Sequence, residues 1–208
     1  MHAVASLRAG GARALSVRVS SCAMPSPILK YCSNCASPVA HRIPAGENRL
    51  RYLCDNCGEI HYQNPKLVVG CVPEWEGRLL LCRRAIEPRY GYWTLPAGFM
   101  ENDETTGEAA LRETLEEAGA HVELGEAFSM LSVPHVDQVH LFYRARLANL
   151  GFAPGEESLE VALFEEAKIP WQEIAFRTVG FTLKRWFEDR KRGVFGFHAA
   201  DIVAPPRA

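Results

Sequence analysis

The sequence predicts an α+β fold with a mixed β-sheet in layers, preceded by a small metal-binding module. Two CxxC pairs lie near the start of the chain, and beyond them apolar runs typical of strands are intermixed with two helical patterns. No regular βαβ repeat is present, so a layered α+β arrangement is expected. We expect an N-terminal extension over 1–27, the metal-binding module over 28–64 and the main domain over 65–208.

Composition excludes several classes of protein. The chain has 208 residues, 48% of them hydrophobic and 23% charged, which is ordinary for a soluble globular protein. A formal net charge of −2 argues against a protein that mainly neutralises nucleic-acid phosphates. No apolar run approaches the roughly 18 residues that a membrane span needs, and no membrane partner is expected.

The first 23 residues are rich in Ala, Ser and Arg and contain no acid. This composition is typical of an organelle transit peptide, although an extension without a role is the interpretation we favour. Met24 would then be a sensible start, and we expect disorder up to about residue 27. The predicted location is cytoplasmic, or organellar if the segment is a transit peptide.

Four cysteines are spaced as the ligands of a structural zinc ion. Cys32 and Cys35 form one CxxC pair, and Cys54 and Cys57 form another after eighteen residues. Four thiolates complete a tetrahedral site, and the two short strands expected between the pairs make this module a zinc ribbon. Two disulfides or a redox motif are the alternatives, but no secretory signal supports disulfides. A brace or a dimer contact is a better expectation for the ribbon than nucleic-acid binding.

The main domain begins with a predicted hairpin whose turn contains Gly77. Cys71 and Cys82 lie in its apolar arms and are expected to be buried free thiols. Further strands are predicted at 122–133, 137–148 and 161–166, and an amphipathic helix at 179–193.

A helix from about residue 105 to 118 carries an unusual group of acids. Glu113, Glu116 and Glu117 project within about a quarter-turn of one another at 100° per residue. Because like charges at this spacing destabilise a helix, a cation should lie against them. Leu111, Leu115 and Ala118 form an apolar stripe on the other face, which we expect to pack on the core. Gly119 ends the helix.

The segment from Gly98 to Gly119 resembles the Nudix box. The matching positions are Gly98, Glu104, Arg112, Glu113, Glu116, Glu117 and Gly119, with Thr114 and Ala120 as mild departures at two apolar positions. The resemblance implies an α/β/α sandwich in which this loop, helix and loop bind a divalent metal and the pyrophosphate of a nucleoside diphosphate linked to another group.

The resemblance also implies roles for individual residues. Glu113, Glu116 and Glu117 would be catalytic ligands of Mg²⁺ or Mn²⁺, with the Gly98 carbonyl as a further ligand. Glu104 and Arg112 would orient the loop on the helix.

Residues outside the helix are further candidates. Among residues outside the helix, Glu160 is the candidate for the general base. Arg84 and Glu101 are candidates for contact with the substrate, and Tyr92 or Trp93 for stacking on a base, although Trp93 fits packing better.

The chain from about residue 30 onward is similar to plant-type and bacterial FAD pyrophosphatases. The matching pieces include "CSNC", "YQNPKLVVGC", "WTLPAGFME", "FAPGEESLE" and "GVFGFHAADI". This implies cleavage of FAD to FMN and AMP, with ADP-ribose as a further substrate, by a homodimer that binds a small dinucleotide. The chain lacks the "SQPWPFP" segment of NADH pyrophosphatases, which argues against NADH as the main substrate. Another nucleoside-diphosphate derivative, or a non-catalytic dinucleotide sensor, remains an alternative.

Overall fold

The computed structural model describes residues 28–204. The predicted N-terminal extension lies outside these residues. The strands are β1 (Val39–Arg42), β2 (Arg51–Cys54), β3 (Ile60–His61), β4 (Lys66–Trp75), β5 (Arg78–Arg84), β6 (Trp93–Thr94), β7 (Ala97–Phe99), β8 (Val122–Val133), β9 (Gln138–Leu147), β10 (Ser158–Phe164) and β11 (His198–Asp201), and the helices are α1 (Thr106–Ala118) and α2 (Arg177–Arg192).

Two sheets organise the described residues. The first is small and has the order β1-β2-β3, with antiparallel pairs. The second has eight strands in the order β10-β5-β4-β9-β8-β11, with β6 paired to β5 and β7 paired to β4. β4 runs parallel to β9, and β8 runs parallel to β11, whereas the other pairs are antiparallel. The predicted mixed sheet is therefore confirmed.

The large sheet lies between the two helices. Alternate residues of a strand face opposite sides: Val69 and Cys71 of β4 pack with Ala109 and Ala110 of α1, whereas Val72 packs in the larger core on the other side, with α2. Each fully buried Val, Leu or Phe contributes about 1.5–3 kcal/mol. This alternation confirms the predicted α/β/α sandwich.

The chemistry of its end residues explains where α1 begins and stops. Thr105 caps the helix: its side chain accepts from the Glu108 backbone N–H, and the Glu108 carboxylate accepts from the Thr105 backbone N–H. Gly119 adopts the left-handed conformation at φ 57°, which glycine tolerates without strain. Both predicted ends of the helix are confirmed.

The predicted buried face of α1 is wrong in part. Leu111 and Leu115 are 37% and 45% exposed, although Ala118 is buried as expected. The helix instead rests on Ala110, Thr114 and their neighbours, and the Cys71 Sγ lies 3.4 Å from the Ala110 carbonyl oxygen. Small side chains allow this close approach to β4, which large leucine side chains would prevent.

The predicted hairpin and the longer strands are confirmed, with shifts at their ends. Cys71 and Cys82 are buried free thiols, and Trp93 is buried in the core against Phe164. No helix within residues 28–204 is long and apolar enough to cross a bilayer. The boundary between residues 64 and 65 stays a prediction.

Candidate active site and metal sites

The four cysteines predicted to bind zinc lie together at one end of the small sheet. Their sulfur atoms all lie within 4.8 Å of one another, with 3.6 Å between Cys32 and Cys57 and 3.4 Å between Cys35 and Cys54. Sulfurs placed tetrahedrally around zinc at about 2.3 Å are about 3.8 Å apart. Disulfide sulfurs lie about 2.05 Å apart, and all four thiols are free. The cluster therefore fits a structural zinc ion.

The glycine loop and the glutamate helix meet at Gly98. A methyl carbon built on Gly98 would lie 2.3 Å from the carboxylate of Glu113. A methyl group at this position would displace the carboxylate. Glycine therefore lets Glu113 pack directly against the backbone of the loop.

Arg112 joins the loop to the helix. Its guanidinium donates to both Glu104 carboxylate oxygens, at 3.0 and 2.7 Å, and to the Phe99 carbonyl at 3.1 Å. It also donates to Glu113 at 2.7 Å and to Glu116 at 3.2 Å. The two hydrogen bonds from Arg112 are the main reason that the pKa of Glu104 is lowered to about 2. These bonds connect the loop to the helix, and the role of the two residues as an orienting pair stays a prediction.

Glu117 lies on the buried side of α1, only 7% exposed. Its carboxylate accepts a hydrogen bond from the Ala97 backbone N–H at 3.0 Å. Burial raises the pKa of Glu117 to about 8, and the negative charges of Glu113 and Glu157 add to this shift. The Ala97 N–H and the positive charge of Arg84 oppose it. A divalent cation would supply the missing positive charge.

Glu113 is half-buried and its pKa is also raised, first by burial. Arg112 opposes the shift, whereas the carboxylates of Glu116 and Glu157 reinforce it. Three glutamates of the helix and Glu157 therefore share one field of negative charge, although Glu116 remains exposed. The sequence interpretation missed Glu157. The acidic segment "EESLE", to which Glu157 belongs, is the signal that could have indicated it.

The loop that carries Glu157 is fastened to the end of α1. The Ala153 and Gly155 N–H groups donate to the carbonyl oxygens of Ala118 and Glu117, and the Ala85 N–H donates to the Glu157 carbonyl. Glu160, the predicted outside residue, lies further along β10, half exposed, 3.8 Å from Arg83. Its predicted role as a general base stays a prediction.

The two other predicted contact residues, Arg84 and Glu101, each bond to a neighbouring part of the chain. Arg84 donates to the Pro88 carbonyl at 2.9 Å and lies 5.1 Å from the centre of the Phe176 ring. Glu101 is exposed, and its backbone N–H donates to the Glu104 carboxylate at 2.6 Å. Contact of either residue with a substrate stays a prediction.

Substitution of Gly98 by alanine tests the contact between loop and helix. We expect Gly98→Ala to displace the Glu113 carboxylate and to lower kcat about 10²-fold, as misplacement by about 1 Å can do. Gly196→Ala is the matched control, because a methyl group there meets no atom within 4 Å. Steady-state kinetics of both variants measure the effect, and equal rates would show that the contact has no consequence.

The raised pKa of Glu117 predicts a dependence of stability on pH. In the range from the ordinary glutamate pKa of 4.5 to the folded-state pKa of about 8, the folded protein keeps a proton that the unfolded chain has lost. Stability without added magnesium should therefore fall as the pH rises through this range. Glu117→Gln removes the titrating group, so its thermal unfolding should depend less on pH than that of the wild type. Parallel profiles would contradict the assignment.

The fold and the site define a class of protein with a zinc ribbon ahead of a sandwich that carries a glutamate-rich loop and helix. A family profile described as Nudix N-terminal, a zinc ribbon, matches residues 30–63, and the NUDIX domain profile matches residues 64–187. The chain belongs to the Nudix hydrolase family.

Individual relatives agree with this assignment. The chain is 54% identical in sequence to a NUDIX hydrolase from Nitrosomonas europaea. The crystal structure of that protein matches this fold with a TM-score of 0.83, and the match covers 85% of this chain and 100% of that chain. The NAD-capped RNA hydrolase NudC of Chromobacterium violaceum is 32% identical over 136 residues, 64% of this chain and 48% of that protein. The ADP-ribose pyrophosphatase of Methanocaldococcus jannaschii is 26% identical over 113 residues, 52% of this chain and 67% of that protein. The chain spans about half the length of the NudC relative.

Proposed function

We propose that this protein is a divalent-metal-dependent pyrophosphatase that hydrolyses the pyrophosphate bond of a nucleoside diphosphate linked to another group. The observation that carries the proposal is the cluster of partly buried glutamates around Gly98, held by Arg112. Hydrolysis of a pyrophosphate requires that its negative charge be neutralised where water attacks. A surplus of carboxylates suits a site that is completed by a cation.

The residues present fit a magnesium or manganese ion. Glu113, Glu116 and Glu117 offer hard carboxylate oxygens, and the Gly98 carbonyl lies in the loop packed against Glu113. The raised pKa values of Glu113 and Glu117 are consistent with charges that await compensation. When bound there, the ion would polarise the phosphoryl oxygens and lower the pKa of the attacking water.

The chain's own residues would position the groups that react. Arg112 fixes the directions of Glu113 and Glu116, because one of its nitrogens donates to both carboxylates. The Ala97 N–H fixes Glu117. We propose that Arg84, whose positive charge opposes the rise in the pKa of Glu117, binds a phosphate oxygen.

Two acids compete for the role of general base outside the helix. Glu160 is the residue that the family resemblance favours, and Glu157 is the residue whose charge acts on Glu113 and Glu117. Glu157→Gln and Glu160→Gln, compared by the pH dependence of kcat, separate them, since loss of the base removes the limb that it controls.

The substrate is proposed from the resemblance and from the relatives. FAD, cleaved to FMN and AMP, is the substrate indicated by the whole-chain resemblance. The names of the relatives support ADP-ribose or an NAD-linked group instead. We further propose a homodimer located in the cytoplasm.

Substrate choice is tested by measuring kcat/KM with magnesium for FAD, ADP-ribose and NADH side by side, with products separated by chromatography. We expect AMP from each cleaved substrate and the highest kcat/KM for FAD. A higher kcat/KM for ADP-ribose or NADH would overturn FAD as the main substrate. Tight binding of all three without any cleavage would instead indicate a sensor.

A further inference from the structure

A cavity separate from the glutamates lies where the loop after β5 meets the segment before α2. Its volume is about 620 Å³, within the range of about 300–1,000 Å³ that small ligands occupy. Its wall is fixed to the core, because the Ala175 N–H donates to the Trp93 carbonyl at 2.8 Å. Neither Gly98 nor the three helix glutamates line it. A pyrophosphate held by those glutamates would therefore leave this cavity free for another part of the substrate.

The charged side chains that line this cavity are all positive, and we call it the basic cavity. Arg89, Arg177 and Lys184 line it, and no Asp or Glu does. None of the three forms a salt bridge with a carboxylate in residues 28–204, although Arg177 donates to the Val203 carbonyl. The whole chain has a net charge of −2, so this concentration of cations is local. Uncompensated cations repel one another, and a bound anion removes that cost.

Aromatic rings form the other part of the lining. Arg89 lies 5.4 Å from the centre of the Tyr92 ring, and Lys184 lies 5.8 Å from that of Trp171. These cation–π contacts hold two of the charges against the walls. Rings beside cations suit a ligand that combines a flat base with a phosphate.

Arg84 links the basic cavity to the proposed site of hydrolysis. Phe176 lines it, and the same ring contacts Arg84 at 5.1 Å. The charge of Arg84 in turn acts on Glu117. A substrate held at the glutamates by its pyrophosphate can therefore direct one end past Arg84 and Phe176 into the cavity.

We propose that the basic cavity binds a phosphate monoester carried on the nucleoside at one end of the substrate. This rests on the proposed function and adds to FAD and ADP-ribose a further substrate class, dinucleotides with a ribose phosphate in addition to the pyrophosphate. A dianionic monoester matches the cations of the cavity better than a neutral ribose does. FAD and ADP-ribose have no such group and leave these cations without a counter-charge.

Binding is tested on the zinc-loaded protein without added magnesium, so that no catalysis is required. Calorimetry compares ADP-ribose with ADP-ribose 2′-phosphate, which differ only in the phosphate monoester. We expect ADP-ribose 2′-phosphate to bind about tenfold more tightly than ADP-ribose, as one added charge-assisted contact allows. Lys184→Gln and Arg89→Gln should each reduce this difference. Arg185→Gln is the matched control, because Arg185 pairs with Glu188 outside the cavity, and it should keep the preference.

Equal affinities of the wild type for ADP-ribose and ADP-ribose 2′-phosphate would overturn the proposal, as would a preference that survives in Lys184→Gln and Arg89→Gln alike. Thermal unfolding of each variant checks that it folds. A separate assay with magnesium compares kcat/KM for the same two compounds. Preferred binding of ADP-ribose 2′-phosphate without any turnover would support the cavity and refute the hydrolase. Turnover without this preference in binding would refute the cavity and support the hydrolase.

Discussion

Glu117→Gln is expected to lower kcat by about 10³-fold or more while the protein stays folded, because the proposed metal site would lose one carboxylate and with it several kcal/mol of transition-state stabilisation. Glutamine keeps an oxygen that can accept from the Ala97 N–H. It also removes a buried acid whose pKa is raised to about 8, so the fold does not depend on the charge. Rates at saturating magnesium and thermal unfolding measure the two effects separately.

Glu126→Gln is the matched control for this change. Glu126 is an exposed glutamate on β8. Its replacement by glutamine removes one carboxylate from the chain, as Glu117→Gln does. We expect its kcat to equal that of the wild type. Near-normal turnover in Glu117→Gln would refute the assignment of this glutamate to the metal site.

Cys54→Ser is expected to abolish zinc binding and to unfold the ribbon. Cys54 is fully buried within the cluster, and a structural zinc site contributes about 10–16 kcal/mol of binding energy to the folding of a small module. Elemental analysis should find one zinc per chain in the wild type and none in the variant. Limited proteolysis should then cut within residues 28–63.

Cys71→Ala is the control for the zinc experiment. It also removes a buried cysteine, but that thiol lies between β4 and α1 and outside the cluster. Its zinc content should stay at one per chain. A wild-type protein without zinc whose ribbon resists proteolysis would contradict the structural role of the metal.

Sequence patterns predicted the long elements of the fold and the two short strands β1 and β2 of the ribbon, but missed the other short strands. The arms of the hairpin and both helices carry enough apolar residues to show a period. β3, β6, β7 and β11 have two to four residues each, and such lengths carry no period of their own. β11, for example, forms by pairing in parallel with β8 across the sheet, a tertiary contact that local sequence does not encode.

The candidate site was predictable where residue spacing determines geometry. Gly98, Arg112 and the glutamates lie at fixed positions along one loop and one helix, so their proximity followed from the sequence. The burial of Glu117 did not, because it depends on how closely small residues let α1 approach β4. The proximity of Glu157 and the basic cavity depend likewise on loops that fold back from distant parts of the chain.

The most direct test of the central claim is the rate of AMP formation from FAD and ADP-ribose as magnesium is titrated into the zinc-loaded protein. We predict a negligible rate without magnesium and a rise to a plateau with it, with AMP as a product. Full activity without magnesium, or no AMP from either compound at any concentration of magnesium or manganese, would contradict hydrolysis by a metal held at Glu113, Glu116 and Glu117.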